Sequence, residues 1–271
     1  MQKTFGICLF VIAATLGSIG SAETLRIGGT GAALGPMARL GDAFQDLHPD
    51  TTIEILPSLG SGGGIKATMA GAIDIGLSSR DLKADEQVDG TSARIFAYTP
   101  LAFVTSVNTK INNVTTQELV EIYSGNMQHW PDGSMVRLVM RPASEIDTQL
   151  LRTLSEPMAE AVDVALQRPG LVSATNDQEN ADMLEKLEGS IGLVALGQVR
   201  AENRTLKVLT LNGEMPKHAH PFDPETEFAK ALYLVTKADS TPITRSFVAF
   251  VLSEEGQKLL AALDHVPVRA E

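Results

Sequence analysis

Eight residues, Pro57-Ser58-Leu59-Gly60-Ser61-Gly62-Gly63-Gly64, separate a strand-like run, Thr52-Ile53-Glu54-Ile55-Leu56, from a helix-like run, Ile65 to Ala70. Glycines at such a junction let the backbone approach a ligand closely and aim N–H groups at it. The helix that follows adds its unpaired amides and its positive dipole end. Strand, glycine loop and helix start together predict an anion cradle inside an α/β fold, with the Ser61 hydroxyl and the amides of Gly60, Gly62 and Gly63 as donors. An ordinary strand-to-helix turn reads the same way, so the segment needs company to mean binding. Two nucleotide motifs are excluded. Gly64 is followed by Ile65-Lys66-Ala67 rather than Gly-Lys-Ser/Thr, and Gly29-Thr30-Gly31 meets Leu34 where a dinucleotide fingerprint needs glycine.

The company is present. A first strand, Thr24 to Gly28, runs into Gly29-Thr30-Gly31-Ala32-Ala33 and a helix with Leu34, Met37, Leu40, Phe44 and Leu47 on one face. A third strand, Ile73 to Leu77, ends at Ser78-Ser79-Arg80-Asp81, and further strands are expected at Ala93 to Ala97 and Leu101 to Ser106. Thr115-Thr116-Gln117-Glu118 reads as a capping box that opens a helix through Tyr123. Val136 to Met140 is strand-like and delivers Arg141-Pro142-Ala143-Ser144 to a helix start with Asp147 and Thr148. Helix is expected over Asn180 to Leu187 and Phe247 to Leu263, and strand over Ile191 to Leu196 and Ala231 to Thr236. Alternating strands and helices imply βαβ units and a mostly parallel sheet.

Four strand ends therefore carry polar groups suited to an oxyanion. They are Thr30-Gly31, Ser61-Gly62, Ser78-Ser79-Arg80 and Arg141-x-x-Ser144 with Asp147 and Thr148. Each has a plain structural reading: Thr30 and Ser144 as helix N-caps, Arg80 paired with Asp81, Asp147 as a favourable acid in a first turn. Their combination at the carboxyl ends of strands is where open α/β sheets bind ligands. Converging hydroxyls, amides and arginine are what a desolvated anion requires. No nucleophile–base pair or paired-carboxylate pattern is visible. His218-Ala219-His220 stands in a Pro-bounded polar loop without further metal ligands, so no enzyme activity, metal or cofactor is expected.

The first 22 residues read as an export signal: basic Lys3, an apolar stretch from Phe5 to Ile19 and a small-residue cleavage site at Gly20-Ser21-Ala22. Cys8, the one cysteine, falls inside it, so the mature chain has no disulfide or thiol chemistry. The formal charge of -11 argues against nucleic acid and anionic membranes, but local amides and one arginine can still outweigh it at a site. A soluble, monomeric protein of the bacterial periplasm is expected, cleaved after Ala22.

Several segments resemble the periplasmic substrate-binding proteins of the phosphate ABC-importer type. They are Gly60 to Ile65 followed by Ala72 to Leu82, Ile122-Tyr123-Ser124-Gly125 with Trp130 and Asp132-Gly133, Gly189-Ser190-Ile191-Gly192, and the tail Phe250 to Pro267. They occur in family order across nearly the whole mature chain. The resemblance implies two α/β lobes joined by a two-stranded hinge, with a ligand cleft between them. Lobe one would be 23–104 plus 222–271, and lobe two 105–221. Thr30, Ser61 and Ser79 would line the cleft from lobe one, Arg141 and Ser144 from lobe two. The chain departs from the family's pattern twice. Arg141 is followed by no Gly-Ser-Gly-Thr, the segment holding Glu145 and Asp147 instead, and Ser79 stands where many members have an aspartate, for which Asp81 or Asp147 would substitute. The expected ligand is phosphate, with sulfate, molybdate, tungstate and a small organophosphorus compound open beside it. The expected partner is an importer permease, the rival being a membrane sensor regulated through the same fold.

Overall fold

The computed structural model describes residues 23–88, 90–216, 223 and 228–268. The expected export signal with Lys3, Cys8 and its cleavage site, the pair His218 and His220, and the lobe boundary at 221/222 lie outside the described residues.

The chain opens with β1 (Glu23–Gly29), α1 (Gly31–Leu47), β2 (Thr51–Ile55), α2 (Gly60–Met69) and β3 (Ile75–Ser78). Next come β4 (Ser92–Ser106), β5 (Asn113–Val114), α3 (Thr116–Ser124), β6 (Arg137–Met140), α4 (Ile146–Thr153) and α5 (Glu156–Leu166). β7 (Val172–Ser173), α6 (Asp177–Lys186), β8 (Ser190–Ala195), α7 (Leu196–Ala201), β9 (Leu206–Val208) and β10 (Thr210–Leu211) follow. β11 (Ala229–Thr236), α8 (Pro242–Leu252), α9 (Glu254–Ala262) and β12 (Val266–Pro267) end it. The strand order is β2-β1-β3-β11-β4-β8-β6-β7, with β9 and β12 also pairing with β4.

Two α/β halves meet in this sheet. β1 pairs in parallel with β2 and β3 at one end, and β6 in parallel with β7 and β8 at the other. The two centre strands, β11 and β4, run antiparallel. β4 is one strand of 15 residues, not the two expected. Its first part pairs with β11 as far as Pro100, and from Leu101 it pairs with β8. Pro100 interrupts nothing, because the ladder changes partner there and the next amide, Leu101 N–H, donates to the Phe228 carbonyl at 2.9 Å.

Local chemistry explains most boundaries. Thr115 and Glu118 close the expected capping box on α3, and Gly125 ends that helix with left-handed φ. α1 buries Leu34, Met37, Leu40 and Phe44 as its spacing predicts, whereas Leu47, beyond the core, is exposed. Phe44 meets Phe247 of α8 edge-on at 5.2 Å. The single helix expected over Phe247 to Leu263 is two, because Ser253 breaks it. The Ser253 hydroxyl donates to the Phe250 carbonyl (2.7 Å) and accepts from Gly256 N–H (3.2 Å), ending α8 and capping α9. The glycine run is also not a loop. α2 starts at Gly60, so Ser61 to Gly64 form its first turn. Gly64 is needed there, since a Cβ would lie 2.7 Å from Gly29 Cα and 2.9 Å from the Leu77 carbonyl. α2 can therefore seat directly on β1 and β3.

Candidate functional site

Three hydroxyls gather where β1, β3 and α2 meet. Thr30 precedes α1 but makes no side-chain cap to it. Its hydroxyl lies 2.8 Å from that of Ser79. Ser79 N–H donates to the Ser61 hydroxyl at 2.9 Å. Thr30, Ser61 and Ser79 are thus brought together at the starts of α1 and α2, with Gly62 in the same first turn as Ser61. Thr30 and Ser79 are buried and Ser61 is half-buried.

Ser78 and Arg80 are occupied otherwise. The Ser78 hydroxyl donates to the Arg80 carbonyl (2.6 Å) and accepts from Arg80 N–H (3.1 Å), closing a tight turn. The Arg80 guanidinium grips Glu86 with both terminal nitrogens, at 2.6 and 2.7 Å. The expected partner Asp81 supplies only its backbone carbonyl. The hydrogen bond from Arg80 holds the Glu86 pKa down to about 2. Arg80 Nη2 still passes 3.9 Å from where a Gly62 Cβ would stand, so the pair borders the first turn of α2.

Across from the hydroxyls, β6 delivers Arg141. Its side chain is only 5% exposed, and it meets Asp177 (3.1 Å) and Glu145 (2.9 Å) through separate terminal nitrogens. Arg141 Nε is buried without a partner. The Thr148 hydroxyl donates to the Arg141 carbonyl at 2.9 Å, which fixes the strand end against α4. Asp147 is at the second position of α4 and is buried, as expected of a first-turn acid. The helix cap position belongs to Glu145, however, and Ser144 lies outside the helix and exposed. Ser144 is therefore not the N-cap its spacing suggests, because α4 begins one residue later.

The structure adds two residues that the sequence reading did not single out. Lys230 of β11 is 3% exposed and lies 2.6 Å from Asp147 and 3.4 Å from Asp177. Asp177, the first residue of α6, lies between Arg141 and Lys230. Burial works to raise its pKa, but Lys230 and Arg141 outweigh burial and hold it below the ordinary aspartate value. For Lys230, burial works to lower the pKa, and Asp147 and Asp177 reverse the sign. Half-buried Glu145 is raised, first by burial and then by Asp177 and Asp147. Lys230 carries a signal, since it interrupts the apolar run Ala229 to Val235, whereas Asp177, four residues past the two-residue strand β7, carries none in its spacing.

Asp177 and Gln178 also bridge the two sides. A Cβ on Gly31 would lie 2.8 Å from Asp177 Oδ2 and 2.4 Å from Gln178 Oε1, so a larger residue there would have to push those side chains aside. Gln178 Nε2 donates to the Gly31 carbonyl at 2.9 Å. The starts of α1 and α6 are in contact, with Arg141 immediately behind. Among the described residues, no group of three or more His, Cys, Asp or Glu could hold a metal ion. No helix among them is long and apolar enough to cross a membrane.

A family model described as the PBP superfamily domain matches residues 16–255. The phosphate-binding protein PstS of Borreliella burgdorferi is 28% identical over 217 residues, covering 74% of this chain and 75% of that protein. A Clostridium perfringens structure with bound phosphate superposes with a TM-score of 0.74 at 24% identity, over 91% of this chain and 100% of that one. An ABC-type phosphate transport receptor from Vibrio cholerae gives a TM-score of 0.59 at 21% identity, over 91% and 100%.

Proposed function

The chain belongs to the PBP superfamily, and from that premise we propose that it is a solute-binding protein that captures phosphate for an ABC importer. The relatives' names support both the solute and the transport role. One observation carries the reading. Linked hydroxyls of Thr30, Ser61 and Ser79 stand at two helix starts, and the buried Arg141 stands across the α1–α6 contact from them. Helix-start amides and hydroxyls donate to oxyanion oxygens, and a guanidinium adds a charge-assisted fork. Gly31, Gly62, Asp147 and Thr148 shape the same place, while Ser78 and Arg80 brace its edge.

The acids favour phosphate over sulfate. Glu145, Asp147 and Asp177 ring Arg141 and Lys230. Hydrogen phosphate has a proton to offer a carboxylate, whereas sulfate at neutral pH has none and is repelled. The protein works by binding and release, without covalent chemistry. It acts as a monomer in the periplasm after cleavage behind Ala22, and it hands its solute to the importer permease. Its lobes are 23–104 plus 222–271 and 105–221, and the change of partner along β4 supports a division within that region.

Calorimetry of the mature protein with inorganic phosphate and with sulfate tests the reading. Phosphate is expected to bind about tenfold tighter or better, a difference of about 1.4 kcal/mol. Equal affinities would remove the role given to the carboxylates. Binding of neither ion would remove the phosphate reading.

A further inference from the structure

We propose that Asp177 is the cleft's own anion. Its carboxylate occupies Arg141 and Lys230 when no solute is bound, latches the two sides together, and is displaced by the incoming oxyanion. The inference rests on the reading of the cleft as an anion site.

Position comes first. Asp177 Oδ1 lies 3.1 Å from Arg141 Nη1 and 3.4 Å from Lys230 Nζ. Its other oxygen, Oδ2, lies 2.8 Å from the Cβ position of Gly31, at the start of α1. One carboxylate therefore spans the arginine and a helix start on the opposite side. Those are the two surfaces that a captured oxyanion has to bridge. Gln178, the next residue, bonds the Gly31 carbonyl and strengthens the same contact.

Charge comes second. The buried cluster holds two cations, Arg141 and Lys230, and already faces Asp147, Asp177 and half-buried Glu145. A phosphate added to this arrangement would bring unpaired negative charge into a desolvated site, which is prohibitive. Removing the Asp177 carboxylate from the pair frees Arg141 for the solute and takes one negative charge out of the site as the solute brings its own. The match of Asp177 to Arg141 is also incomplete. It takes a single terminal nitrogen, Glu145 takes the other, and the buried Nε has no partner. A tetrahedral oxyanion carries more acceptor oxygens than a carboxylate, so it can take Nη1 in place of Asp177 and still accept from neighbouring donors that Asp177 leaves unmet.

A self-latched cleft is closed before it is loaded, and its apparent affinity is lowered by the fraction of molecules whose site is occupied by Asp177. Asp177→Asn keeps the side-chain shape and an acceptor oxygen but removes the charge. It is expected to bind inorganic phosphate about tenfold tighter or more. Without phosphate it is expected to show a larger radius of gyration by small-angle scattering than the wild type, whose radius phosphate changes little. Unchanged or weaker phosphate binding by Asp177→Asn, together with an unchanged radius, would overturn the latch while leaving wild-type phosphate binding, and the proposed function, standing. A variant that opens while neither protein binds phosphate would overturn displacement by phosphate and the proposed function together. As a check that does not depend on the variant folding, wild-type protein without phosphate must already scatter as the compact form. A radius that shrinks markedly on adding phosphate would overturn the latch.

Discussion

Arg141 is the residue on which binding and stability are both staked. Its removal is not a neutral probe, because Arg141→Ala leaves Asp177 and Glu145 facing each other without their shared cation. Breaking a buried pair from one side costs about 3–5 kcal/mol. Arg141→Ala should therefore lose phosphate binding and also unfold at markedly lower denaturant, as followed by circular dichroism. Arg141→Lys should recover part of the stability but little of the binding, since an ammonium lacks the planar fork. An alanine variant of near-normal stability and phosphate affinity would place Arg141 outside the site. Lys230→Met is the complementary case. It matches the volume and leaves Asp147 buried without its 2.6 Å partner, so a loss of similar size is expected in the same unfolding measurement.

At the scale of elements, the glycine run divides into positions of opposite sensitivity. Alanine is a better helix former than glycine by about 0.8–1.0 kcal/mol. At Gly62, where a Cβ would touch only Arg80 Nη2 at 3.9 Å, Gly62→Ala should leave stability unchanged or raise it. At Gly64 the Cβ would press on Gly29 and on the Leu77 carbonyl, both backbone, so Gly64→Ala should destabilise despite the propensity gain. Thermal unfolding of the two variants side by side decides whether α2 packs as described, and equal melting temperatures would refute it. On α3, Thr115→Ala removes the hydroxyl that accepts from Glu118 N–H, leaving only the backbone N–H of residue 115 bonded to the Glu118 carboxylate, and should cost about 1 kcal/mol. The capping box was legible from four residues because a cap is a local bond. The helical start at Gly60 was not, since glycine has low intrinsic helix propensity and here it is packing against β1 and β3 that holds it helical.

The whole molecule carries a built-in acid sensitivity away from the cleft. His265 is fully buried beside Gly197, where a Cβ would lie 2.0 Å from its ring. Its Nδ1 faces the Leu263 carbonyl at 2.9 Å and so carries the proton, while Nε2 has no partner. Burial lowers its pKa from 6.5 to about 4. Between those values the unfolded chain binds a proton that the folded chain refuses, so stability is lost as pH falls from about 6.5 to about 4. The loss amounts to about 3 kcal/mol when complete. Glu86, held down to about 2 by Arg80, adds a second loss at lower pH, from about 4.5 downward. Melting temperatures recorded from pH 7 to pH 4 should fall through the first window. A flat profile there would mean that His265 is hydrated or has a partner in solution.

The sequence alone determined what depends on neighbours along the chain. The alternation of strands and helices, the Thr115–Glu118 cap, and the placing of Thr30, Ser61, Ser79 and Arg141 at strand ends all follow from spacing and local hydrogen bonding. Only the tertiary structure decided which side chains those groups would face. Arg141 finds Asp177 from a later helix and, through it, Lys230 from the returning strand β11. Arg80 turns to Glu86, and Thr30 forgoes its own helix for Ser79. The single strand β4 and the break at Ser253 were settled in the same way, by partners outside the local window or by a hydroxyl bonding in two directions. Charge pairing and close packing act through space and carry no sequence period, so a chain read residue by residue shows the candidates for a site but not how they are paired.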